Sequence, residues 1–400
     1  MKAARSRSVD EGSGTRTMRR VALVSPYPAP GERHPYGNSI ASHTRGLAET
    51  LTRRYEVFVV ANTLPGIPKE YVEGGVRIIR AFRLNPLYPL RIAEQLSRIR
   101  PDVVHIQYSY FLYGGFLEGA IFPLLLAISK PISKVVVTMH DLPSLRQLRN
   151  PEFLRMNYLP RYGSILRAGV VAVNRAIGSL ADAVIVHEEF MREVAIRDYR
   201  MPPGKVVVRP YGAERIELID RGRARRELGV DGDRVLVLFY GYLAMYKGLD
   251  RILHALGDGL IRGRYSLIIA GGPHPRALGD PEYRGWLGEL MGRVRELRIR
   301  GADVRITGFV RDPAPYLSAA DVVVLPYPER FSASGPAATA SACGLPVFLA
   351  EPGIDGDELE RRMVEFVESR GAVWGWGRAS FWDEVAEDYS FLEDASGAEQ

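Results

Sequence analysis

Apolar residues in this chain fall into short unbroken runs, separated by stretches in which they recur every three or four positions. Unbroken runs of this length read as strands buried on both faces, and the recurring pattern reads as helices with one apolar side. The first part of the chain predicts strands at 21–24, 56–60, 76–81, 103–106, 135–138, 183–186 and 206–208. A helix is expected at 39–53, with Ile40, His43, Leu47 and Leu51 on one face, and another at 89–100. Pro202-Pro203-Gly204 and a charged run at 214–226 interrupt the pattern, which then restarts. The second part predicts strands at 234–239, 265–270, 304–307, 322–325 and 347–349, and helices at 249–256, 281–298, 313–319 and 334–342. Alternating strands and helices specify a parallel sheet covered on both faces, joined by right-handed crossovers. The expected fold class is therefore α/β, with two doubly wound parallel-sheet domains, at 20–200 and 201–377, facing across a cleft. A basic tail at 1–19 precedes them. An acidic, aromatic stretch at 378–400 (Phe381, Trp382, Tyr389, Phe391) reads as helix and tail, packed on its own domain or crossing back to the first.

The stretch 235–250 organises the second domain. A buried strand ends at Gly241, and Lys247-Gly248 precedes a helix carrying Leu249, Ile252, Leu253 and Leu256. This places a lysine at the carboxyl end of a parallel strand, where open α/β sheets bind ligands and helix N-termini present N–H groups to anions. Taken alone, Lys247 reads more simply as a solvated loop lysine. Three further loops follow strands at the same end: Gly271-Gly272-Pro273-His274, Gly308-Phe309-Val310, and 326–335, where Ser334 is a suitable helix N-cap. A glycine after a strand is usually only a turn; four such loops with a lysine among them point to a phosphate-bearing ligand. Neither the dinucleotide glycine fingerprint nor a Walker lysine loop is present.

Composition narrows the picture. The 400 residues carry a net charge of +6, with a pI of about 9.3, and the basic residues are scattered. That permits an anionic partner but gives no nucleic-acid signature. The single cysteine, Cys343, rules out an intrachain disulfide or a cysteine-rich zinc site and fits a reducing cytoplasm. No run reaches the roughly eighteen apolar residues of a membrane span. Residues 1–20 contain Arg5, Arg7, Arg16, Arg19 and Arg20 without an apolar core, so a disordered basic tail rather than a signal peptide is expected.

Gly241…Lys247-Gly248, Ala270-Gly271-Gly272, Gly308-Phe309-Val310 and the segment from Ala342 through Gly344 to Val347 resemble the donor half of family 4 retaining glycosyltransferases. These have the GT-B fold of two Rossmann-like domains. In the first half, 101–107 and 137–141 are similar to strand ends facing the cleft, Gly37-Asn38 to the family's glycine loop, and 181–186 and 208–212 to the end of its first domain. The resemblance covers roughly 20–350. Some positions depart from it. Tyr242 stands where the family usually has arginine, and Phe331 and Thr339 stand where it usually has glutamates. Glu329 lies two residues early, and a minority of the family uses a Ser-Gly helix start, which Ser334-Gly335 matches.

The resemblance implies a hexosyltransferase that moves a hexose from a nucleotide-diphosphate sugar to a glycan or lipid-linked acceptor, with retention, no metal and no cofactor. Lys247 would neutralise the departing diphosphate, shared with Gly335 and neighbouring amides. Glu329 would bind sugar hydroxyls, and His140 would face sugar and acceptor from the opposite wall. Gly241, Tyr242, Gly272, Phe309, Ser334 and Thr339 complete the donor site. Gly37, Asn38, His105 and Tyr108 fall on the acceptor side, although His105 lies inside an apolar strand, which favours a structural role. The aromatic loop of Tyr108, Tyr110, Phe111, Tyr113 and Phe116 either folds onto the core or meets sugar or lipid. With the basic charge it suggests peripheral contact at the inner face of a membrane. The alternatives are a nucleotide-sugar-binding protein that has lost transfer, or a nucleotide-sugar epimerase on the same scaffold.

Overall fold

The computed structural model describes residues 18–35, 38–110, 112–158, 163–230, 232, 234–351, 354–372 and 380–382. The first sheet comprises β1 (Arg20–Val24), β2 (Glu56–Asn62), β3 (Glu70–Glu73), β4 (Val76–Phe82), β5 (Val103–Tyr108), β6 (Lys134–Met139), β7 (Ala183–Val186) and β8 (Val206–Val208), in the order β3-β4-β2-β1-β5-β6-β7-β8. After the two-residue β9 (Gly212–Ala213), a second sheet is built from β10 (Val235–Tyr240), β11 (Tyr265–Ala270), β12 (Asp303–Ile306), β13 (Val322–Leu325) and β14 (Val347–Leu349), in the order β12-β11-β10-β13-β14. All described pairings in both sheets are parallel except β3 with β4. In each sheet the strand order reverses beside the first strand, between β1 and β5 and between β10 and β13. Those reversals open the crevices where ligands enter doubly wound sheets. The uninterrupted apolar runs are explained by this burial: Leu236, Val237, Leu238 and Phe239 of β10 are all inaccessible to solvent.

The edge strand β3 was not expected, because its sequence EYVE is polar and half exposed and carries no apolar run. The charged run at 214–226, read as a break between domains, contains a helix, Arg221–Leu228, capped by the Asp220 side chain and ended by Gly229. Its buried Arg225 is paired with Asp321 at 2.5 Å. β8 pairs with β7, so the first sheet extends past the expected boundary at 200/201. The expected basic tail lies outside the described residues through 17, while Arg20 already belongs to β1 and pairs with Glu56. Of the stretch from 378, only 380–382 is described, and it begins as a strand rather than a helix. This strand, β15 (Ser380–Phe381), pairs with β9. Trp382 then packs into the core of the first half with Leu47 and Leu51. Among the described residues, no helix is long and apolar enough to cross a membrane.

Candidate functional site

The carboxyl ends of both sheets face a cavity of about 680 Å³ between the halves. The loops after β10, β11, β12 and β13 converge on one wall, contributing Gly241, Tyr242, Lys247, Gly272, Phe309, Glu329 and Ser334, and the helix that follows, Gly335–Ala342, adds Gly335 and Thr339. Asn38 and His140 line the other side.

Lys247 ends a short 3-10 turn, Met245–Lys247, and Gly248 starts the next helix at φ 69°. A side chain at Gly248 would place its Cβ 2.4 Å from the Pro326 carbonyl oxygen, so both the left-handed backbone and the close approach require glycine. This turn folds the lysine inward, leaving it only 7% exposed. Nζ donates to Tyr327 Oη at 2.9 Å and lies 4.5 Å from the centre of that ring. Tyr327 Oη is 3.3 Å from Ser334 Oγ, which in turn accepts the Ala337 N–H at the start of the Gly335–Ala342 helix. Burial works against the ammonium, but the Tyr327 and Tyr246 phenols outweigh it and hold the pKa above the ordinary lysine value. A buried cation therefore stands beside the positive end of a helix, where Gly335 keeps an N–H for an anion while Pro336 has none and that of Ala337 is held by Ser334.

On the donor wall, Tyr242 lies nearly parallel to Phe309, with ring centres 6.4 Å apart. Phe331, standing where the resemblance places a glutamate, packs edge-on against Phe153 of the first half at 5.3 Å. Its carbonyl accepts the Leu142 N–H at 2.6 Å, and Ser332 bridges Asp141. Phe331 thus anchors the loop to the other half. Glu329 lines the cavity, and Gln147 Nε2 donates to its Oε2 at 2.9 Å. Arg330 is buried in an ion pair with Glu188 across the same junction.

On the first-half wall, His140 Nε2 donates to Gln107 Oε1 at 2.8 Å. Burial, reinforced by His187 and His105, holds the His140 pKa well below the ordinary histidine value. Asn38 caps the Ser39–Leu51 helix by accepting the Ala41 N–H at 3.1 Å. Gly37 and Phe111 lie outside the described residues.

Two assignments are corrected. His105 and Tyr108 do not reach the cleft. His105 is fully buried in β5, with Nε2 2.6 Å from Thr138 Oγ1, and burial pushes its pKa down to about 3. Tyr108 turns into the core against Phe122, because β5 runs two residues further than expected and carries it under the helices. Tyr113 folds inward beside it, Tyr110 lines the cavity, and Phe116 remains exposed. Sequence reasoning did not find Tyr327, which holds the lysine, or Gln107, which orients His140. Each lies in a stretch singled out for another reason, and no spacing marks it.

Two doubly wound sheets that face each other across a crevice, with glycine turns and a buried lysine on one wall, form the GT-B fold. Solved structures share it. Sucrose-phosphate synthase from Thermosynechococcus elongatus superposes with a TM-score of 0.71 at 19% identity, covering 96% of this chain and all of that one. HepE from Anabaena, in complex with UDP and glucose, gives 0.55 at 16% identity, covering 95% of this chain and 90% of that one. A family model described as Glycosyltransferase Family 4 matches residues 40–215, and one described as Glycosyl transferases group 1 matches residues 234–360. The chain belongs to this glycosyltransferase family. Among curated relatives, the D-inositol 3-phosphate glycosyltransferase of Acidothermus cellulolyticus is 26% identical over 390 residues, covering 88% of this chain and 79% of the relative. That of Streptomyces bingchenggensis is 32% identical over 195 residues, 46% of this chain. The match spans about two fifths of the Streptomyces relative and of a similar Actinosynnema mirum protein (41% and 42%).

Proposed function

We propose that the protein transfers a hexose, with retention, from a nucleotide-diphosphate sugar to a glycan or lipid-linked acceptor. The observation that carries this reading is the buried Lys247 ammonium, held by Tyr327 beside the Gly335–Ala342 helix N-terminus and facing the cleft. When the bond from the anomeric carbon to the diphosphate breaks, its electron pair passes to the phosphate oxygen. Lys247 and the Gly335 N–H neutralise that charge, with no cation required at the diphosphate; Pro336 has no N–H to add, and that of Ala337 is taken by Ser334. Preformed charge aimed at a leaving group is a large catalytic contribution. The acceptor hydroxyl attacks from the same face and gives its proton to a donor phosphate oxygen. His140 borders the acceptor side, and Glu329 contacts sugar hydroxyls from the loop it shares with Tyr327. A lipid-linked acceptor is supported by Leu87, Leu90, Phe116, Leu117 and Leu124, which are exposed on neighbouring helices of the first half. These residues suit peripheral contact with a cytoplasmic membrane face.

Lys247→Ala is expected to lower kcat/KM at least about 100-fold, the loss that follows removal of one preformed charge donor. Its melting temperature should stay near that of the parent. Normal turnover in this variant would overturn the assigned role. Phe331, occupied in holding the halves together, favours a second reading in which the donor is bound but not transferred. Donor hydrolysis or transfer by the purified chain would exclude that reading, and donor conversion without acceptor would indicate an epimerase.

A further inference from the structure

Three histidines from separate elements of the first half meet on the wall opposite Lys247. His43 comes from the Ser39–Leu51 helix, His140 from the turn after β6 and His187 from the turn after β7. They are 4%, 7% and 6% exposed. One nitrogen of each lies within 4.8 Å of the other two. The rings meet at an angle rather than stacking, with centres 4.6, 5.3 and 5.1 Å apart.

Hydrogen bonds determine which nitrogen carries the lone pair in His187 and His140. His187 Nδ1 donates to the Arg209 carbonyl at 3.0 Å, so Nε2 holds the lone pair, and that atom is buried without a partner. His140 Nε2 donates to Gln107 Oε1 at 2.8 Å, leaving the lone pair on Nδ1. His43 Nδ1 is also buried without a partner. An imidazole whose far N–H is tied to a carbonyl is oriented as metal-binding histidines are. A core packed for stability alone would pair these nitrogens. Tyr211 and Trp382, each 4.7 Å from the His43 ring, close an apolar shell around the group.

We propose that His43, His140 and His187 bind one divalent transition cation of the Zn²⁺, Co²⁺ or Ni²⁺ kind. A donor set of imidazoles alone selects these ions over Mg²⁺ and Ca²⁺, which take oxygen. Three protein ligands leave a coordination position open, as in catalytic rather than structural zinc sites. Because His43 and His140 line the cleft, the ion enters from there and its open position takes water. The site shares His140 with the acceptor side of the cleft but not the lysine that serves the diphosphate, and it stands on the geometry of the three imidazoles rather than on the transferase reading.

The test uses untagged full-length chain, stripped with a chelator and dialysed against Co²⁺ alone. One ion per chain should be retained, with the visible absorption of four- or five-coordinate Co²⁺, and Zn²⁺ alone should displace it and raise the melting temperature. X-ray absorption of the zinc-loaded chain should show three imidazole nitrogens at about 2.0–2.1 Å. Gln107→Leu should weaken binding about tenfold, the usual cost of losing a partner that orients a ligand. The His43→Gln/His187→Ala double variant should retain no ion. Failure to retain an ion, fewer than three imidazoles in the absorption spectrum, or undiminished retention by the double variant would overturn the site. The absorption measurement needs no variant, so the proposal stays testable if the double variant does not fold. None of these readouts depends on sugar transfer.

Discussion

At the scale of single residues, the turn around Lys247 shows how local chemistry places a charge. Gly248 lets the chain reverse, and the reversal buries a side chain that would otherwise extend into water. A buried amine usually loses its proton more easily, because a low dielectric disfavours the charged form. Here the surrounding phenols reverse that tendency, and the pKa lies above the ordinary 10.5. A raised pKa keeps the ammonium below that value and releases it only as the pH climbs through the folded pKa. Affinity for a free nucleoside diphosphate should therefore stay flat from neutral pH to the alkaline edge of the folded range, as calorimetric titration can check. A decline beginning near pH 8 would mean the amine is not held as described. The lysine itself was legible in the sequence, because a Lys-Gly pair after a buried run marks a strand-to-helix turn. Its hydroxyl partner was not, because Tyr327 comes from another strand's loop, 80 positions away.

At the scale of elements, the loop after β13 does more than close a turn. It carries Tyr327 to the lysine, Ser334 to the helix N-terminus, and Phe331 and Arg330 to the opposite half. Ser334→Ala removes the cap of the Gly335–Ala342 helix, which typically costs about 1 kcal/mol. It also removes the hydroxyl next to Tyr327. Thermal unfolding should show the small stability loss, and donor affinity should fall more than that loss alone explains. A loss of stability with unchanged donor affinity would separate the helix from the binding wall. Strands of four or more apolar residues were legible because burial on both faces leaves an unbroken signature. The edge strand β3 and the helix Arg221–Leu228 were not, since one is half exposed and the other is charged along most of its length.

At the scale of the whole molecule, the two halves are tied at their junction by specific contacts. Arg330 is paired with Glu188, and burial raises the Glu188 pKa even though Arg330 opposes the shift. Glu188→Ala would strand Arg330 in that interior. Breaking a buried pair in this way costs about 3–5 kcal/mol. Denaturant unfolding should show the loss, and Arg330→Met in the same chain should recover much of it. Trp382 makes a further tie, wedged against Gly46 so closely that a Cβ there would lie 2.3 Å from Nε1. Trp382→Ala is expected to cost about 3 kcal/mol, at the low end for removal of a buried aromatic ring. An unchanged melting temperature would show that the ring does not support the first half.

The order of apolar runs and helical stretches was sufficient by itself to specify paired doubly wound sheets, because strand burial and crossover handedness depend on local pattern. It also marked the glycine turns and the lysine, since backbone freedom and charge are properties of single residues. Which side chains would meet was settled only by tertiary structure. His43, His140 and His187 come from three separate elements, and Phe331 crosses from one half to the other. His105 and Tyr108 turned inward for the same reason. A side chain's direction depends on where its strand ends and what packs above it, and neither is written in the residues on either side.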